Sequence, residues 1–254
     1  MPSIGQKKDD RVNWIYGVNP VSEAIKSGRL INAVYVRQES QKHLSSIIEA
    51  AKAHGIHVKF ETKDFFEGRF HKGHQGIAAH AAKKETVSVE DLLAIPAKKG
   101  EAPFFIILDN IEDPRNFGAI LRVADAAGVH GVVFQSHRSA GITPVTAKSS
   151  AGALEHVNVA ETVNIKHAME KMKKDDIVLI GAEAGAGIEP WNLDMSGPIS
   201  IVIGSEGEGL RRTVREMCDM TASLPMKGTV NSLNVSVAAG ILAYEVLRQR
   251  QKAG

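Results

Sequence analysis

The chain holds one cysteine, Cys218, among 254 residues, so no disulfide can form within it. That usage suits a reducing compartment, and the expected location is the cytoplasm. No apolar run approaches the roughly 20 residues that a membrane-spanning helix needs. The opening stretch MPSIGQKKDDRVNW lacks the apolar centre of a secretory signal. No metal-ligand set stands out: His71 and His74 have ligand-like spacing, but nothing near them completes a site, which leaves a polar turn or a contact to a polar partner. The dinucleotide fingerprint G-x-G-x-x-G is absent, as are internal repeats. Net charge is small, +2, until the chain is divided. Residues 1–100 carry 16 Lys and Arg against 11 Asp and Glu, whereas residues 101–254 carry 15 against 18. A basic first part joined to a mildly acidic second assigns a polyanionic partner to the first, although solvated lysines on helix faces give the same count.

What is present is the composition of an ordinary globular protein, 43% hydrophobic and 24% charged. The length suits one large domain or two modest ones. Composition breaks at AAKKETVSVEDLLAIPAKKGEAP, rich in lysine, glutamate and proline, which reads as a linker over 83–102 with room for a short helix in VSVEDLLA. Ahead of it, strand-like NAVYVR, IHVKF and GIAAHA and helical HLSSIIEAAKAHG outline a small α/β module over residues 1–82. Behind it, over residues 103–254, FFIILD, GVVF, DDIVLIG and ISIVIG read as buried parallel strands. They alternate with helical DPRNFGAILRVADAAGV, IKHAMEKMKK and GLRRTVREMCD. The class expected is α/β: a mostly parallel sheet with helices on both faces and ligands at the carboxyl ends of its strands.

Three segments at such strand ends carry polar residues. In LDNIEDPRNFGAILRVADAAGV, Asp113 followed by Pro114 is a helix start, and Phe117, Ile120, Leu121 and Ala124 form its core stripe. Arg115 and Arg122 share another face, with Gly118 and Ala119 leaving room for a backbone or a ligand; Arg122 pairing with Asp125 is the alternative. In IVIGSEGEGLRR, the carboxylates of Glu206 and Glu208 sit in a glycine loop that would otherwise suit a phosphate, so a nucleotide triphosphate is disfavoured. In SLPMKGTVNSLNVSVAAGILAYE, Asn231 or Ser232 can cap the last helix. Together with Asn234 and Ser236 they give that apolar helix a polar mouth, and Ala238, Ala239 and Gly240 permit close packing against another subunit.

These three segments, in this order, resemble the three motifs of the SpoU/TrmH family of RNA ribose 2'-O-methyltransferases, over residues 104–250. IYGVNPVSEAI and HQGIAA are similar to the substrate-binding module of the members that methylate a guanosine in 23S ribosomal RNA. The resemblance implies a ribosomal-protein-L30e-like RNA-binding domain at 1–82 and a catalytic domain at 103–254 that ends in a deep trefoil knot. It implies S-adenosylmethionine as cofactor, RNA as partner with 23S rRNA favoured, and a homodimer through the catalytic domain, without metal or membrane. Residue by residue, the family motifs place catalytic roles on Asn116, Arg122, Glu206, Ser232 and Asn234, and cofactor contacts on Ala182, Gly204, Leu224, Met226 and Leu233.

The chemistry implied is attack of a ribose 2'-oxygen on a sulfonium methyl. The hydroxyl must lose its proton or have its developing charge stabilised, with the reacting atoms held in line. Family proposals cast the arginine as base, but a guanidinium is effectively always protonated, and it equally suits stabilising the oxyanion and holding a phosphate. Competing targets are a transfer-RNA guanosine or a ribosomal adenosine. A non-catalytic ribosome-assembly factor would not need all five catalytic-type residues. Cys218 reads as core, while Trp14 and Trp191 can stack on bases or simply pack.

Overall fold

Residues 12–70, 72–137, 139–185 and 187–253 are described by the computed structural model, and His71 lies outside them. Contacts divide the chain into two units that meet between Glu85 and Thr86.

The first unit runs β1 (Val12–Tyr16), α1 (Val18–Lys26), β2 (Ile31–Arg37), α2 (Ser45–Ala53), β3 (His57–Glu61), α3 (Lys63–Glu67) and β4 (Ile77–Ala82). Its sheet has the order β1-β4-β2-β3, antiparallel except between β2 and β3. Strand periodicity sends Ile15, Val34, Val36, Ala79 and Ala81 into the core, along with Val21, Ala24 and Ile25 of α1 and Ile47, Ile48 and Ala51 of α2. Aromatic rings gather around Trp14, Tyr35, Phe65 and Phe70; Tyr35 stacks on Phe65 at 5.4 Å, and the Arg69 guanidinium lies 4.5 Å over Phe65. Trp14 therefore packs within its own unit. His74 stacks on Phe66, and its Nδ1 accepts the Gly76 N–H at 3.0 Å, so it closes a turn. Among the described residues no cluster of potential metal ligands occurs.

The second unit runs α4 (Val89–Leu93), α5 (Ile95–Lys99), β5 (Phe104–Leu108), α6 (Pro114–Ala126), β6 (Gly131–Gln135), α7 (Pro144–Ser149), β7 (Val159–Thr162) and α8 (Ile165–Lys174). It continues through β8 (Val178–Ala182), β9 (Ile199–Ile203), α9 (Arg212–Arg215), β10 (Met220–Ala222) and α10 (Val235–Ala253). The sheet order is β10-β8-β9-β5-β6-β7, and every pair is parallel. β5, β6 and β9 are buried along their whole length, as a sheet covered on both faces requires. One core packs Phe105, Ile107, Val133 and Val202 against α4, α8 and α9. On α6 the stripe Phe117, Ile120, Leu121 and Ala124 is fully buried, and α7 and α10 pack against that helix. β5 and β9 are sheet neighbours whose connections leave in opposite directions, β5 towards β6 and β9 towards β10. Such a switch point leaves a crevice at the carboxyl ends of the two strands.

Within the stretch 83–102, residues from Thr86 onward group with the second unit. Ser88 caps α4 by accepting the Asp91 N–H at 3.0 Å, and Val89 and Leu92 enter the core of the second unit. Its linker-like composition comes from exposed Glu90, Lys98 and Lys99, which coat the outer side of a docked segment. GLRRTVREMCD is also less helical than its pattern implies: only Arg212–Arg215 forms a helix. No described helix is long and apolar enough to cross a membrane.

Candidate active site

Three chain segments meet at the crevice. Asp113 starts α6 by accepting the Arg115 N–H at 2.8 Å, which sets Asn116 on the buried first turn. The second segment is the glycine loop after β9. It closes on itself through Ser205 N–H to Gly209 O and Gly209 N–H to Ser205 O, both 3.0 Å. Gly204 makes this closure sterically possible, because a Cβ there would lie 2.1 Å from the Gly209 carbonyl carbon. The glycine thus serves the loop's own backbone contact. The third segment is the start of α10, where Asn234 is the cap: its Oδ1 accepts the Ser236 N–H at 3.0 Å and the Ser236 hydroxyl at 2.6 Å. Asn231 and Ser232, the expected caps, lie exposed in the preceding loop.

These segments are joined by their side chains. Asn116 Nδ2 donates to Glu206 Oε2 at 2.9 Å, and Asn234 Nδ2 donates to Asn116 Oδ1 at 3.0 Å and to Glu206 Oε1 at 3.5 Å. The Asn234 amide orientation is fixed by its partners, since its oxygen is committed to Ser236 and its nitrogen to the other two residues. Each carboxylate oxygen of Glu206 receives an amide donor and keeps lone-pair capacity for a further one.

A cavity of about 220 Å³ opens beside this triangle. All five expected cofactor residues, Ala182, Gly204, Leu224, Met226 and Leu233, line it, together with Glu206 and Ser232. Ile203, Ala222, Val235 and Leu242 add apolar wall, and among the described residues the charged ones lining it are Glu183 and Glu206. Glu183 Oε2 is buried without a hydrogen-bond partner; Arg215 Nε stands 3.5 Å away, out of hydrogen-bond alignment. An apolar cleft with two carboxylates and an unsatisfied acceptor fits a nucleoside that bears positive charge and hydroxyl donors, and repels a phosphate. Glu183 was not singled out from the sequence; its signal was its place directly after the β8 apolar run. Glu208 faces the adjoining hollow lined by Asn110, Glu112, Asp113 and Asn116.

Arg122 is not brought to this cleft. It lies exposed on α6, and among the described residues no ion pair joins it to Asp125. The space beside Gly118 is taken by α7, where a Cβ would lie 2.6 Å from the Thr146 carbonyl oxygen, so that glycine serves helix packing. Cys218 is shielded: burial, the largest cause, pushes its thiol up to about 12, with the nearby Asp109, Glu183 and Asp219 charges adding to it against Lys173. It is no nucleophile at neutral pH.

Residues 103–244 match the family model described as SpoU rRNA Methylase family, and residues 14–87 match the one described as RNA 2'-O ribose methyltransferase substrate binding. The chain is 41% identical over 243 residues to the TrmH family protein YacO of Bacillus subtilis (strain 168), covering 95% of this chain and 98% of that protein. It is 35% identical over 243 residues to the 23S rRNA (guanosine-2'-O-)-methyltransferase RlmB of Coxiella burnetii, covering 95% and 97%. Among solved structures it is similar to the SpoU methyltransferase AviRb from Streptomyces viridochromogenes in complex with the cofactor AdoMet. That match has a TM-score of 0.80 and 25% identity, and covers 97% of this chain and 94% of that one.

Proposed function

The chain belongs to the SpoU rRNA methylase family, and from that premise we propose that it methylates the ribose 2'-hydroxyl of a guanosine in 23S ribosomal RNA. Its reaction class is that of the family, S-adenosylmethionine-dependent 2'-O-methylation of RNA. The observation that carries the reading is the cleft at the β8 and β9 ends, apolar and acidic, with the Asn116–Glu206–Asn234 triangle at its edge. The guanosine target is supported by likeness to the Coxiella RlmB along almost the whole chain. A ribosomal RNA substrate and the single cysteine support a cytoplasmic location.

In this reading residues 1–82 form an L30e-like domain that grips RNA, and the catalytic domain at 103–254, extended by the docked helices α4 and α5, holds the chemistry in a trefoil-knotted C-terminal part. Backbone groups of Ala182, Gly204, Leu224 and Leu233, with Met226 beside them, would hold the cofactor. When bound, S-adenosylmethionine supplies a methyl group activated by positively charged sulfur. Glu183 and Glu206 set a negative wall that suits this charge. Asn116 and Asn234 fix the Glu206 carboxylate, while Ser232 at the cleft mouth meets the incoming nucleotide.

Arg122 stabilises the 2'-oxygen as its proton leaves and holds a neighbouring phosphate; permanent protonation suits it to those tasks better than to acting as base. Its place outside the cleft of its own chain is consistent with a homodimer. α10 exposes Val237, Ile241 and Tyr244 at helical spacing, an apolar stripe, and Gly240 of the same helix lies 3.6 Å from the Val123 methyl if given a Cβ. Arg122 adjoins Val123, so a second chain docked on that face sets it at the subunit boundary. Transfer of labelled methyl to protein-free ribosomal RNA, with the product nucleoside identified, tests the assignment.

A further inference from the structure

The last strand residue of β5 is followed by Asp109, which is fully buried and charged. Its carboxylate accepts two hydrogen bonds from one residue, the Arg211 backbone N–H to Oδ2 at 2.9 Å and Arg211 Nε to Oδ1 at 2.6 Å. Its own backbone N–H donates to the Ile203 carbonyl at 2.8 Å. Ile203 precedes the glycine loop and Arg211 follows it, so a single residue holds both ends. The other arm of Arg211 reaches Gln135 at the end of β6, Nη2 donating to Oε1 at 2.9 Å. Gln135 Nε2 in turn donates to the His137 carbonyl at 2.8 Å and to Asn110 Oδ1. Asn110 holds a left-handed φ of 57° at the turn leading to α6, the helix that carries Asn116.

We infer that Asp109 is a positioning residue for methyl transfer: with Arg211 it pins the closed loop that carries Glu206, and through Gln135 and Asn110 ties that loop to the start of the Asn116 segment. The inference rests on reading the loop as the cofactor wall. A buried carboxylate is retained only with well-aligned donors, and charge-assisted bonds are the strong ones. Here both donors to the Asp109 carboxylate come from Arg211 at one end of the loop, and its backbone N–H donates to Ile203 at the other. Without the clamp the Ser205–Gly209 closure persists, since it is local, but its placement against Asn116 and Asn234 loosens.

The test uses the full chain with Arg211→Ala and Arg211→Lys, reading S-adenosylmethionine affinity by calorimetry, turnover at saturating cofactor, RNA affinity and melting temperature. Arg211→Ala is expected to weaken cofactor binding about 10-fold or more, the effect of losing a hydrogen bond to a charged group. Turnover falls even with the cofactor saturating, while RNA affinity stays unchanged. Arg211→Lys keeps the charge against Asp109 without the arm to Gln135, and recovers most of the loss in cofactor affinity. Should Arg211→Ala not fold, Asp109→Asn, which sets an amide against the Arg211 N–H, carries the same expectation. A folded variant with a lowered melting temperature but unchanged cofactor affinity and turnover would overturn the inference. So would a loss confined to RNA affinity, which would make Arg211 a phosphate contact. Absence of cofactor binding by the unaltered protein would overturn the reading of the loop itself.

Discussion

Asn116 and Glu206 lie 90 residues apart in the chain and share a 2.9 Å hydrogen bond, with the amide nitrogen donating to the carboxylate. The contact binds the first turn of α6 to the glycine loop, and Asn234 joins both from the cap of α10. Each of the three polar segments at the strand ends thus contributes one side chain to a single constellation.

Replacing Asn116 by aspartate keeps the shape of the side chain and sets a carboxylate against Glu206. Turnover is expected to fall about 10- to 100-fold, the worth of a hydrogen bond to a charged group. Steady-state kinetics with RNA at saturating cofactor checks this; unchanged turnover would remove the triangle from the mechanism.

Arg122→Ala should leave S-adenosylmethionine affinity within about 2-fold and lower methyl transfer by about 100-fold or more, as removal of a charge-stabilising donor does. Arg122 is exposed on α6, so its truncation is expected to leave the fold intact. Parallel loss of cofactor binding and activity would mark a structural arginine instead.

Ile241→Asp places a carboxylate in the exposed apolar stripe of α10. Sedimentation should show the unaltered protein as a dimer and the variant shifted towards monomer with reduced turnover, because an unpaired charge is costly in an apolar contact. A monomeric unaltered protein would contradict the dimer.

His130 gives the second unit a pH dependence. Its Nδ1 accepts the Phe104 N–H at 3.1 Å, and Nε2 faces Glu101 Oε2 at 3.0 Å, so the neutral ring carries its proton on Nε2. Burial holds its pKa below the usual 6.5, partly offset by Glu101. The unfolded chain therefore takes up the proton first as pH falls, and stability is full above about 6.5 and declines below it towards the folded value. Urea unfolding midpoints between pH 7.5 and 5.5 should decrease for the unaltered protein and flatten for His130→Gln; an equal slope in both would assign the effect elsewhere.

The central strands were legible because both faces are covered: FFIILD and ISIVIG are near-continuous apolar runs that stand out without alternation. The short β7 and β10 carry no such run, and β10 has one fully buried residue among three, so neither rose above its surroundings. VSVEDLLA left room for the short helix α4, but its docking was not legible: Val89 and Leu92, the two residues that enter the core, are too few to form a periodic signal. At the site, residue types could be placed from the motifs, but partner choice could not. That Asn234 both caps α10 and reaches Asn116 depends on a meeting of elements 118 residues apart. Glu183 and Asp109 went unnoticed because each follows an apolar strand as a single acid, a pattern without meaning until the loops converge.

The most direct measurement incubates the full chain with methyl-labelled S-adenosylmethionine and protein-free 23S ribosomal RNA, digests the RNA to nucleosides, and identifies the labelled one. The account predicts label in 2'-O-methylguanosine. Label on a base, or no transfer to any RNA while S-adenosylmethionine still binds, would contradict it; label in 2'-O-methyladenosine, or in transfer RNA alone, would keep the chemistry and overturn the target.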